Sequence, residues 1–89
     1  MARIAFTGHL RNVGPGEAAE YAGATVADLL DAVGNGYPRL KSYLLDDQGK
    51  VRKHVAIFVD GTLCPRDTVL TLPLTPHSEI YVFQALSGG

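Results

Sequence analysis

Few side chains in this 89-residue sequence have the type and spacing for covalent chemistry. Ser42, Ser78 and Ser87 lie outside any nucleophile-elbow pattern, and His9, His54 and His77 lack a paired ligand spacing. The single Cys64 has no base beside it and precedes Pro65, so it reads as a small buried hydrophobe rather than a reactive thiol. One cysteine excludes an internal disulfide, and with scattered histidines it leaves neither a structural zinc site nor an iron–sulfur cluster. No metal and no bound cofactor are expected. Gly34 and Gly36 close a helical pattern instead of opening one, which makes them a helix stop and not a phosphate cradle.

What remains is Gln84-Ala85-Leu86-Ser87-Gly88-Gly89. At average glycine usage, two terminal glycines arise by chance in about one chain in two hundred. On its own such a pair fits an idle terminus. Extended, Leu86 to Gly89 would reach about 13–14 Å, enough to enter another protein's active site. Gly88 and Gly89 present no side chains to a narrow channel. The α-carboxylate they deliver has an ordinary pKa of about 3.3–3.7, so it is ionised at neutral pH and a poor electrophile. Chemistry there requires activation by another enzyme.

The elements before the tail decide how it is read. Arg3 to Thr7 alternates Ile4 and Phe6 with small or polar neighbours, a period-two strand followed by the turn residues Gly14-Pro15-Gly16. A second strand is expected from Glu17 to Ala22. Thr25 then serves as an N-cap with Asp28 in the first turn, and Val26, Leu29, Leu30 and Val33 form the apolar face of a helix. Pro38 opens a short helical turn in which Tyr37, Leu40 and Leu44 share a face. Asp46 to Lys50 reads as a turn, Val51 to Asp60 as a strand, and Asp60-Gly61 as a tight hairpin turn. Pro65 and Pro73 limit Leu63 to Leu74 to a short or edge strand. Glu79 to Ala85 is the last strand.

This order predicts an α+β fold of the β-grasp, ubiquitin-like type: a mixed sheet of four to five strands with one main covering helix. The domain runs over residues 1–85, and 86–89 form a flexible diglycine tail. With Val55, Ile57, Val59, Ile80 and Val82 facing the helix, Phe58, Tyr81 and Phe83 occupy the open face. Exposed there, they form a binding surface. The competing arrangement has residues 37–50 folding over them.

Composition bounds the rest. Eight basic against nine acidic side chains leave a net charge of −1, without the basic excess of a nucleic-acid binder. Five of the eight bases fall between Arg39 and Lys53, either a local patch for an acidic partner or a solvated loop. The start lacks the pattern of a signal peptide, and no segment approaches the roughly 20 apolar residues that span a bilayer. A cytoplasmic protein with no membrane partner is expected.

The opening strand with Leu10-Arg11, the run Val55-Ala56-Ile57-Phe58-Val59-Asp60-Gly61, Leu72-Pro73-Leu74 before the last strand, and the Ser87-Gly88-Gly89 end together resemble the MoaD/ThiS family of ubiquitin-like sulfur carriers. The long segment from Tyr37 to Val51 is similar to the subgroup that includes cysteine-synthesis carriers and archaeal-type MoaD proteins. The sequence departs from many MoaD-like tails in having no proline at Gln84 or Ala85. Its Cys64-Pro65-Arg66-Asp67 turn is also less polar than in molybdopterin-synthase subunits.

The resemblance implies a protein co-substrate and not an enzyme, although such a chain can be the small subunit of a molybdopterin synthase-type complex. An adenylating activating enzyme, using ATP and magnesium, would convert the carboxylate of Gly89 to an acyl-adenylate. Sulfur would then replace AMP to give a thiocarboxylate for a sulfur-accepting synthase making molybdopterin, cysteine, thiazole or another sulfur metabolite. Gly88 and Ser87 would thread the tail, and Phe58, Tyr81, Phe83 and Leu86 would bind partners. Two other functions fit the same residues: a ubiquitin-like modifier conjugated through Gly89, and a non-covalent β-grasp interaction module.

Overall fold

Alternation along the first strand decides which side of the sheet is covered. In β1 (Ala2–Phe6), Ala2, Ile4 and Phe6 are buried while Arg3 is exposed. In β5 (Glu79–Gln84), Ile80 and Val82 are buried while Glu79, Tyr81 and Phe83 are exposed. The two strands lie side by side and parallel, so their apolar sets merge into one surface. The structure is a computed structural model that describes residues 1–84.

Around this pair the sheet runs β2-β1-β5-β3-β4, with β2 (Ala19–Tyr21), β3 (Val55–Val59) and β4 (Thr62–Cys64) each antiparallel to their neighbours. Five strands in a mixed sheet, with helices on one side, make the expected β-grasp architecture. The principal helix, α2 (Val26–Gly36), buries Val26, Leu29, Leu30 and Val33. Its N-cap is Thr25, whose Oγ1 accepts a hydrogen bond from the Asp28 N–H at 3.2 Å. The segment after Thr71 fixes the helix entry, since Leu72 O accepts from Val26 N–H and Ala24 O accepts from Leu74 N–H.

Several boundaries differ from the sequence reading, each for a local reason. Leu10–Val13 forms a helical turn, α1, that places Leu10 in the core; four residues carry too little periodicity to be seen. The second strand is shorter than Glu17 to Ala22. Gly34 does not stop α2 but lies buried inside it, where a Cβ would stand 3.1 Å from Lys41 Cδ. Its missing side chain makes room for α3 (Pro38–Leu44). Residues 51–54 are not strand: Val55 N–H donates to Arg52 O in a turn, and buried Val51 pairs with Leu45 as an isolated bridge.

The covering layer is therefore wider than one helix. Leu10, Leu40, Leu44, Val51 and Val69 join α2 in the same core, Val69 from a 3₁₀ turn at Val69–Thr71. Tyr37 does not share the buried face of Leu40 and Leu44 but is exposed.

Candidate functional site

The uncovered side of the sheet carries an apolar row set by register. Ala5 lies opposite Tyr81, Tyr81 opposite Phe58, and Phe58 opposite Leu63, so one line crosses four strands. Phe83 stands one step further toward the tail, opposite Ala56. The Phe58 and Phe83 rings meet edge-on with centroids 5.2 Å apart, and Tyr81 lies 6.3 Å from Phe83. These are favourable aromatic geometries, and they pre-order the surface. Leu63, Tyr81 and Phe83 retain 57%, 48% and 40% of their exposure, while Phe58 is half-buried.

Residues 37–50 do not cover this row. Leu40 and Leu44 draw α3 into the core on the other side of the sheet, against α2. Phe58, Tyr81 and Phe83 thus come together as the alternation required. Leu63 was missed by the sequence reading. Its signal was available, since a two-residue turn at Asp60-Gly61 pairs Val59 with Thr62 and therefore Phe58 with Leu63. Both turn residues take positive φ, 51° for Asp60 and 84° for Gly61, as the tight hairpin demands. Asp60 Oδ1 also accepts from Glu79 N–H at 2.9 Å, tying the turn to the start of β5.

Leu86, Ser87, Gly88 and Gly89, the other sites read from the sequence, lie outside the described residues. Cys64 is half-buried, not fully buried: it faces the core opposite Ile57, with Sγ 3.4 Å from Thr62 O. Among the described residues no group of three His, Cys, Asp or Glu side chains could hold a metal ion. Two of the bases between Arg39 and Lys53 have partners within the domain. Lys41 pairs with Asp31 at 2.8 Å, and Arg52 Nε donates to Ser42 O at 2.9 Å. Asp46 closes the turn before β3, its Oδ1 accepting from the Lys50 and Gln48 N–H groups. The Lys50 N–H is the main reason that its carboxyl sits below the ordinary carboxylate value, with Gln48 N–H and the Arg52 and Lys50 charges adding to the effect against partial desolvation.

The exposed aromatic row thus lies on the strand that precedes Gly88-Gly89 in the sequence, and residues 4–89 match the ThiS family. The chain belongs to the ThiS family. Solved structures agree on the fold. SAMP1 from Haloferax volcanii is 26% identical, superposes with a TM-score of 0.79, and covers 99% of this chain and 98% of its own. CysO in the BexX/CysO complex of Amycolatopsis orientalis is 20% identical with a TM-score of 0.86 over all of both chains. CysO from Mycobacterium tuberculosis is 17% identical with a TM-score of 0.83, covering 97% of this chain and 100% of its own. No curated protein matches the sequence. The fold of this ThiS-family chain is that of ubiquitin-like sulfur carriers and modifiers. Among the described residues no helix is long and apolar enough to cross a membrane.

Proposed function

We propose that this ThiS-family chain is a sulfur carrier that works through the carboxylate of Gly89. The observation that carries the reading is the aromatic row on β5: the strand that displays Tyr81 and Phe83 is the one that leads into the Gly88-Gly89 end. Phe58, Tyr81, Phe83 and Leu86 dock the carrier on its partner. Ser87 and Gly88 then thread a partner's channel, where the absence of a Gly side chain permits close backbone approach. An activating enzyme with ATP and magnesium forms the acyl-adenylate at Gly89 and releases pyrophosphate. Sulfide displaces AMP and leaves the thiocarboxylate directly; the outer sulfur of a persulfide displaces AMP to give an acyl disulfide, whose S–S bond a thiol then cleaves, releasing the thiocarboxylate and leaving the sulfur donor as a disulfide.

The carrier supplies binding energy and a backbone terminus, while its partners supply the chemistry. A molybdopterin synthase large subunit, a thiazole synthase and a cysteine-forming enzyme are all acceptors for such a group. In the first case the chain would be the small subunit of the complex. Incubation with its activating enzyme, ATP and a sulfur source should raise the protein's mass by the difference between sulfur and oxygen. Retention of that gain after deletion of Gly89 would sink the proposal.

Likeness to SAMP1, a small archaeal modifier protein, favours a second reading, in which a lysine amine attacks the same adenylate, forming an isopeptide bond and releasing AMP. A ladder of conjugates in cell extract that disappears with Gly89 would establish it.

A further inference from the structure

A groove of about 390 Å³ opens beside the way out of the last strand. It exists because β4 stops early: Cys64 pairs with Ile57, but Pro65 brings no N–H to the ladder and the chain turns away, with Thr68 and Val69 N–H donating back to Pro65 O. Ala56 is thereby left without a strand on that side. Val55, Ala56, Leu63, Cys64 and Pro65 supply its apolar lining around the end of β4, and Lys53 and Arg66 its charged lining. Ala56 lies opposite Phe83, so the groove continues the aromatic row.

Its charge is one-sided. Among the described residues no acid lines it, although the whole chain carries a net charge of −1. Asp46 and Asp67 border the neighbouring pocket, which Arg66 also lines, so Lys53 is the groove's cation that does not share that acidic pocket. Arg66 is held by an Nη1–H donated to Val51 O at 3.2 Å, and its guanidinium has further N–H groups to offer. At the opposite end of the sheet Arg3 lies in register between Glu20 and Glu79, and Asp60 binds the Glu79 N–H. Lys53 and Arg66 are thus the charged residues that line the groove.

We infer that this groove receives an acidic segment of the adenylating enzyme, an extended stretch in which Asp or Glu flanks an apolar side chain. The inference rests on the proposed adenylation of Gly89. Apolar contact with the lining seats the segment, and Lys53 and Arg66 pair with its carboxylates. Cations at the exit end turn that end of the carrier toward an acidic surface during approach, an effect that acts chiefly on the association rate.

The test measures association of the full chain with its adenylating enzyme in the absence of ATP, over a range of salt. Lys53→Glu should slow association about tenfold at low salt, with the difference shrinking as salt screens it. Lys53→Gln should fall between, and Arg39→Glu, an exposed charge on the covered side, should match wild type. Wild type that binds while Lys53→Glu associates equally fast, or a defect equal at all salt concentrations, overturns the groove assignment alone. Failure of the wild type to bind overturns the assignment together with the adenylation reading.

Discussion

Asp46 shows how one side chain stabilises a connection without being buried. Two backbone N–H groups converge on its Oδ1, and they favour the charged form over the neutral one. Because its folded-state pKa is depressed, its contribution is present above the unfolded value and disappears as pH falls through the folded one. Denaturant unfolding between about pH 2 and 6 should therefore show a component of acid sensitivity absent from Asp46→Asn, which keeps an acceptor but cannot titrate. Identical slopes for the two proteins would remove Asp46 from the account. Phe83 is the residue-scale counterpart on the sheet. Phe83→Ala should cost about 0.5–1.5 kcal/mol of stability through the lost ring contacts. It should weaken binding to the activating enzyme by more, of the order of 2 kcal/mol, if the row is the docking surface. Urea midpoints alongside titration calorimetry separate the two effects.

At the scale of elements, the difference between α2 and α3 explains what the sequence made legible. Three turns of α2 repeat Val26, Leu29, Leu30 and Val33 on one side, and Thr25 marks the start, so periodicity and cap agree. Asp60-Gly61 was equally clear, because few residues tolerate consecutive positive φ. The aromatic half of the site followed from alternation along β5 and β3. By contrast, α1 and the 3₁₀ turn each contribute one large core residue, Leu10 and Val69, and a single apolar residue has no period. Val51 misled for a related reason: it is buried by a bridge to Leu45, not by a strand. Leu63 depends on register rather than pattern. The two covering elements also predict different energetics. Thr25→Ala removes a cap at an exposed helix start and should cost about 1 kcal/mol, whereas Leu40→Ala empties a fully packed site beside Gly14 and should cost about 2–5 kcal/mol. Thermal or denaturant unfolding of the two variants checks the order, and a smaller loss for Leu40→Ala would mean that α3 contributes little to the fold.

At the scale of the whole molecule, one sheet does two jobs with its two sides. The inner side carries Ile4, Ile57, Ile80 and Val82 under the helices, and the outer side keeps Tyr81, Phe83 and Leu63 available to partners. β5 lies in the middle of both. Its partners β1 and β3 flank it through most of its length, one parallel and one antiparallel. A pull on the chain beyond Gln84, directed along the strand, runs across both ladders instead of along their hydrogen bonds. The bonds then share the load and must shear together, whereas an edge strand such as β2 would peel off bond by bond. On the function proposed above, a partner that drew the tail into its channel would be hauling on the part of the domain best braced to resist.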